Sequence, residues 1–105
     1  MLPATYDIQH YRGDAFSLRF KFVNQDLTNQ TVICECRNGL QLNSQKLFEF
    51  DTQATLDGVD TLIDISVAAG VTSQLNDGIY YWDLQVGDYT RVAGQLEVIA
   101  DVSRG

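Results

Sequence analysis

Hydrophobic residues in this chain recur at every second position nearly from end to end, a period that fits strands and almost excludes helices. Phe16, Leu18, Phe20 and Phe22 alternate with Ser17, Arg19 and Lys21, giving one apolar and one wet face. Ahead of them Tyr6, Ile8 and His10 alternate with Asp7 and Gln9, and Arg12-Gly13-Asp14 reads as the turn between the two runs. Residues 31–37 form a third strand, and 45–52 a fourth with Phe48 and Phe50 facing in. After an Asp57-Gly58 turn, Ile63, Ile65 and Val67 line the inner face of a fifth. Residues 79–86 form a sixth, with Tyr80, Trp82, Leu84 and Val86 on one face. A tight Gly87-Asp88 hairpin turn leads into a seventh at 91–102, with Leu96 and Val98 inside. Only 68–75 breaks the pattern; it has room for a single helical turn, with Thr72 as its expected cap.

Seven short strands separated by turns predict an all-β, immunoglobulin-like antiparallel sandwich, formed by residues 1–105 as one domain. A chain of 105 residues buries roughly two-thirds of the surface its unfolded form exposes, enough for a core without metals or disulfides. Phe16, Phe20, Trp82 and Leu84 are expected at the centre of two sheets stacked about 10 Å apart. Gly78 precedes the sixth strand as a turn glycine. Tyr80 stands where such sandwiches carry a tyrosine whose hydroxyl ties back to a nearby carbonyl; the alternative is a plain core aromatic. Cys34 and Cys36 fall on one face of one strand, where a bridge between them would distort the backbone. They read as small core residues rather than half a metal site, since the chain offers one His and no further Cys.

A net charge of -7 and a pI near 4.3 disfavour nucleic acid and anionic membranes as partners. No apolar run reaches the length of a bilayer span, and residues 1–20 do not read as a signal peptide, so a soluble protein made in a cytoplasm is expected. The single histidine, His10, removes most His-centred triads and zinc hydrolase patterns, and the glycines are isolated rather than gathered in a phosphate loop. Asp51, Asp57, Asp60 and Asp64 lack calcium-loop spacing and read as a solvated acidic hairpin. Arg12-Gly13-Asp14 also spells an integrin-type tripeptide, but its place at the opening of a strand makes it a turn. The expectation is therefore a non-enzyme that needs no cofactor.

Four pieces in order carry a family resemblance: Arg12-Gly13-Asp14-Ala15-Phe16; Asp26-Leu27-Thr28; the stretch 72–83, which includes Leu75, Gly78, Tyr80 and Asp83; and the close, Gly94-Gln95-Leu96-Glu97-Val98 through Asp101-Val102-Ser103-Arg104. Together they resemble small virion domains of tailed phages, among them the N-terminal immunoglobulin-like domain of siphophage baseplate upper proteins. Asn29 and Ser103 depart from the family's usual Gly and Thr. The resemblance spans nearly the whole chain. It implies a structural protein of a tailed-phage particle, made in the host cytoplasm and located in the virion. Its expected partners are other virion proteins, with self-association in the particle as a further option.

Two roles compete within that class: an adaptor of the tail, neck or baseplate, favoured by the baseplate resemblance, and a capsid decoration protein. A carbohydrate-binding module for host receptors, with Tyr81 and Trp82 stacking on sugars, is a third. The candidate interface residues are Tyr81, Ile33, Leu62 and Ile99, all out of phase with the inner faces of their strands and expected to share one outer sheet face. An edge strand is the other natural contact.

Overall fold

The computed structural model describes residues 4–39 and 45–99. Among the described residues, nine strands and one helical turn follow in order: β1 (Ala4–Thr5), β2 (Ile8–Tyr11), β3 (Phe16–Phe22), β4 (Val32–Arg37), β5 (Lys46–Glu49), β6 (Asp51–Asp57), β7 (Asp60–Val67), α1 (Ala69–Thr72), β8 (Gly78–Val86) and β9 (Tyr89–Ile99). They form two sheets. The larger runs β1-β9-β8-β4-β5, with β2 also on β9; the smaller runs β3-β7-β6. Between them lies a core that includes Cys34, Cys36, Phe50, Ile63, Ile65, Trp82, Leu84, Val86, Leu96 and Val98.

The period-two pattern maps directly onto this core. On β7, Thr61, Ile63, Ile65 and Val67 are buried while their neighbours are half-buried. On β8, Trp82, Leu84 and Val86 point inward, with half-buried Tyr80 packed against the same core. Phe20 is only half-buried but stacks on Trp82 with ring centroids 5.9 Å apart. The Asp57-Gly58 and Gly87-Asp88 turns sit where expected; Gly58 and Gly87 each adopt φ 64°, a left-handed conformation that costs glycine little.

Three features differ from the sequence reading. The stretch 45–52 is two strands: β5 pairs with β4, whereas β6 pairs with β7. The chain changes sheets at buried Phe50, whose N–H donates to the Cys34 carbonyl at 2.8 Å. The N-terminal run is also two strands, and both lie parallel to β9, Ala4 opposite Val92 and Ile8 opposite Leu96. Third, Thr72 ends α1 instead of starting it, and no side chain caps the helix at Ala68. The Thr72 hydroxyl accepts from the Gly13 N–H at 3.2 Å and lies 2.9 Å from the Asp14 carbonyl. It therefore anchors the Arg12-Gly13-Asp14 turn. The seventh strand was read to residue 102, and its last three residues lie outside the described ones, as do Asp101, Val102, Ser103 and Arg104 of the family pattern.

Leu27, from the Asp26-Leu27-Thr28 step, plugs the end of the sandwich. Its N–H donates to the buried Thr61 hydroxyl at 2.9 Å, and that hydroxyl donates to the Gln25 carbonyl at 2.6 Å. The polar group inside is thus paired on both sides, as burial requires. Asp26 accepts from both the N–H and the hydroxyl of Thr28, which closes the turn.

Cys34 and Cys36 are both free thiols on the inner face of β4. Burial pushes the Cys36 thiol up to about 12, and raises Cys34 as well, with Asp83 adding a smaller contribution. In the unfolded chain each thiol returns to the ordinary value of 9.0. Above that pH the unfolded state binds fewer protons than the native state, so stability falls as pH rises. The contribution is complete below pH 9.0 and is lost as pH climbs from there toward 12. Urea midpoints should therefore drop between pH 8.5 and 11, and the Cys34→Ala/Cys36→Ala variant should lose less over the same interval. Equal slopes for the two proteins would contradict the buried thiols.

Candidate functional site

The outer face of the larger sheet carries most of the residues singled out above. Reading across it, Tyr81 on β8 lies opposite Arg37 on β4 and Gln95 on β9. One row along, Asp83 lies opposite Glu35 and Ala93. Ile33 lies opposite Gln85, and Ile99 lies opposite Tyr11 of β2. Tyr81 is therefore four strand positions, about 13 Å, from the rows that hold Ile33 and Ile99.

Leu62 is not on this face. It belongs to β7 in the smaller sheet, between Lys21 and Thr55. Alternation reports which side of its own sheet a residue occupies, not which sheet it belongs to. The four candidates therefore do not form one joined patch: three share a face, spaced apart, and Leu62 lies on the opposite side of the sandwich.

Polar groups fill the space between the three. Arg37 pairs with Glu35 at 2.9 Å, and Lys46 reaches Glu35 at 3.5 Å and Glu49 at 2.8 Å. Gln85 donates to Asp83 at 3.3 Å. Burial raises the Asp83 carboxyl above the usual carboxylate range, with Glu35 nearby adding to the shift and the Gln85 hydrogen bond opposing it. Within this charged surround Tyr81 is half-buried, in a groove of about 470 Å³ whose lining includes Arg37, Asp83, Gln95, Thr5 and Asp7.

The floor of that groove is where the N-terminal strand changes course. Between β1 and β2 the Tyr6 carbonyl turns inward and accepts from the Trp82 indole N–H at 3.0 Å. The Asp7 carboxylate accepts from the Gln95 N–H at 2.9 Å, and the Tyr6 N–H donates to Ala93 at 3.0 Å. Gly94 lies beneath: a Cβ there would collide with the Tyr6 carbonyl. Gly94 thus acts through its missing side chain, by letting two backbones meet. Sequence reasoning missed this role, because its only local sign is one glycine inside a strand pattern.

At the far end of the same face an apolar group forms that includes Ile99. Tyr11 and Ile79 are 55% and 46% exposed, Tyr11 directly opposite Ile99 and Ile79 one row away across β8. Tyr11 and Ile79 were not among the candidates, since the parallel pairing that brings Tyr11 beside Ile99 leaves no local mark.

The remaining candidates have structural places. The Tyr80 hydroxyl donates to the Asn76 carbonyl at 2.8 Å, the tie expected of a corner tyrosine, and Gly78 at the bend has φ 149°. Trp82 is 2% exposed, so it offers no stacking surface. His10 Nε2 lies 2.7 Å from the Asp14 carbonyl; a carbonyl only accepts, so that nitrogen carries the proton and donates. Of the acidic hairpin, Asp64 pairs with Arg19 at 2.7 Å, a hydrogen bond that holds its carboxyl below the usual range, and Asp60 pairs with Lys21 at 3.4 Å. Among the described residues no group of three or more His, Cys, Asp or Glu is arranged to hold a metal, and no helix is long and apolar enough to cross a membrane.

No family model matches the chain, and no curated protein matches it in sequence. Solved structures do match. An uncharacterized protein from Bacillus anthracis str. Ames superposes with a TM-score of 0.61 at 12% identity, covering 94% of this chain and 85% of that one. A family 123 glycoside hydrolase from Clostridium perfringens superposes with a TM-score of 0.59 at 11% identity, covering 94% of this chain but only 23% of that one. The NK cell receptor Nkp44 aligns with a TM-score of 0.48 at 9% identity over 96% of this chain and 100% of its own. Likeness at such identities concerns the fold alone; the two sheets and the Tyr80 corner themselves make the chain an all-β, immunoglobulin-like sandwich.

Proposed function

We propose that this chain is a non-enzymatic structural protein of a tailed-phage particle, docking as an adaptor in the tail, neck or baseplate. The observation that carries the reading is the outer face of the larger sheet. It presents Tyr81 in a groove ringed by charge, and an apolar end where Tyr11 and Ile79 are exposed beside the half-buried Ile99. An aromatic anchor among polar neighbours is the usual make-up of a protein-binding surface. The resemblance of its ordered motifs to those of phage virion domains supports the particle as the setting. The partners in this reading are other virion proteins, and nucleic acid, membrane and cofactors have no part in it. Capsid decoration remains the competing role within the particle.

A carbohydrate-binding module has one observation in its favour: the groove sets Tyr81 beside the Asp7 and Asp83 carboxylates and the Gln95 amide. Against it, Trp82, the other stacking candidate, is buried with its indole N–H already engaged.

Tyr81→Asp tests the docking surface. Folding should survive, at a cost of about 1 kcal/mol or less, because outer-face cross-strand pairs contribute roughly 0.2–1 kcal/mol. Incorporation into particles, read by quantitative mass spectrometry, should fall at least tenfold relative to wild type, the effect of losing about 1.4 kcal/mol at an interface anchor. Full incorporation of a folded Tyr81→Asp chain would remove this face from the interface.

A further inference from the structure

Several carboxylates on the two sheets already hold a cation. Arg19 and Lys21 pair with Asp64 and Asp60, and Arg37 and Lys46 with Glu35 and Glu49. Asp7 and Asp83, which both line the groove around Tyr81, form no ion pair among the described residues. The Asp7 carboxylate accepts from the Gln95 N–H through Oδ1, and the Asp83 carboxylate from the Gln85 side chain through Oδ2. Each keeps a second oxygen with no donor among the described residues.

The topology sets both carboxylates beside the aromatic ring. Tyr81 and Asp83 alternate to the outer face of β8, about 7 Å apart along the strand. Asp7, between β1 and β2, is drawn alongside by its bond to Gln95, which lies opposite Tyr81. Ala93 lies opposite Asp83 and Gly94 follows it, so no long side chain of β9 fills the space between. The resulting groove of about 470 Å³ holds one or two side chains, not a helix, which is about 10–12 Å across. Arg37, the cation in its lining, is engaged by Glu35 at 2.9 Å. Burial raises the Asp83 carboxyl, and the Gln85 hydrogen bond and the attraction of Arg37 oppose that rise without cancelling it. A carboxylate so placed gains from a further opposite charge.

We propose that this groove receives an arginine side chain of the partner protein, its guanidinium against the Tyr81 ring and its N–H groups donating to Asp7 and Asp83. The inference rests on the docking reading of this face and names the chemistry that docks. A guanidinium is planar, so it stacks on an aromatic ring, and its five N–H donors reach acceptors on two sides at once. A lysine ammonium carries the charge without the planar stack. An apolar anchor would cover both carboxylates and leave them unpaired, which costs free energy. The chain's net charge of -7 acts in the same direction, since it draws a basic partner surface toward this one.

The test is a nuclear magnetic resonance titration of the full-length chain with the blocked tripeptide acetyl-Gly-Arg-Gly-amide, taken into the high millimolar range. Shifts should saturate and centre on the Tyr81 ring and the Asp83 and Gln95 amides. The citrulline tripeptide, equal in shape but uncharged, should bind at least tenfold more weakly, and the lysine tripeptide should also bind more weakly than the arginine one. Asp7→Asn/Asp83→Asn keeps an acceptor for the Gln95 N–H and should weaken arginine binding at least tenfold, with the β7 amide shifts unchanged as the check on folding. Tyr81→Ala should weaken it about two- to fivefold, the effect of losing an exposed cation–π contact. Shifts that fail to saturate or centre elsewhere, equal binding of the citrulline or lysine peptide, or folded variants that bind as wild type does would each overturn the proposal. Such a failure, with Tyr81→Asp still excluded from particles, would strike the arginine and leave the docking face. Arginine binding together with full incorporation of Tyr81→Asp would overturn the docking reading and, with it, the assignment of the arginine to a virion partner.

Discussion

Trp82→Ala is expected to lower the stability of the domain by about 3–5 kcal/mol, the range for removing a large aromatic from a core. The indole is 2% exposed and lies between Phe20, stacked at 5.9 Å, and Phe50, edge-on at 6.4 Å. Its removal leaves a void where β8 of one sheet faces β3 of the other. It also takes the hydrogen-bond donor from the Tyr6 carbonyl. A domain of this size loses about 4–8 °C of melting temperature per kcal/mol, so the melt should fall by at least about 12 °C. Trp82→Phe keeps most of the ring contact and loses the N–H, and should cost distinctly less. A Trp82→Ala melt within a degree or two of wild type would place the residue outside the core.

Gly94→Ala should have the second large effect, concentrated at the N-terminus. An alanine Cβ would collide with the Tyr6 carbonyl and come within 2.9 Å of the Asp7 carboxylate. The rigid neighbour here is backbone, so the crossing strand must lift. Lifting breaks three hydrogen bonds: Trp82 to Tyr6, Gln95 to Asp7, and Tyr6 to Ala93. At about 1 kcal/mol each the loss is roughly 3 kcal/mol. Exchange of the Trp82 indole N–H should accelerate on the order of a hundredfold, because local opening is reported directly by exchange. Amides in the β7 centre should change far less. Indole exchange unchanged from wild type would show that the crossing does not depend on Gly94.

The interior of this fold was legible because it follows from local chemistry. Ile63, Ile65 and Val67, or Trp82, Leu84 and Val86, must share a face whatever else the chain does. Tyr80 was legible for a related reason, since its hydroxyl needs only the carbonyl four residues back. What escaped depends on distant partners. Tyr6 and Gly94 meet across most of the chain, and neither signals the other. Phe50 fits the alternation of 45–52 on paper, yet it is the point of transfer between sheets, a choice made by where β4 and β7 lie. Thr72 looked like a cap because it stands near a helical turn, and its hydroxyl is claimed instead by the turn at Gly13 and Asp14. Leu62 was assigned the right side of its strand and the wrong sheet for the same reason. Of the candidate surface, Tyr81, Ile33 and Ile99 were legible as outward residues. The groove around Tyr81 was not, since the Arg37, Asp7 and Gln95 beside it come from three other segments.

The docking reading meets its most direct test in purified particles produced by the genome that encodes this chain. Quantitative mass spectrometry against a labelled copy of the protein gives the number of chains per particle. The account predicts that the chain is present at a few to a few dozen copies, as expected for closed rings in a tail, neck or baseplate. Hundreds of copies would contradict the adaptor role and assign the chain to the capsid shell; absence of the wild-type protein from intact particles would contradict the virion reading altogether.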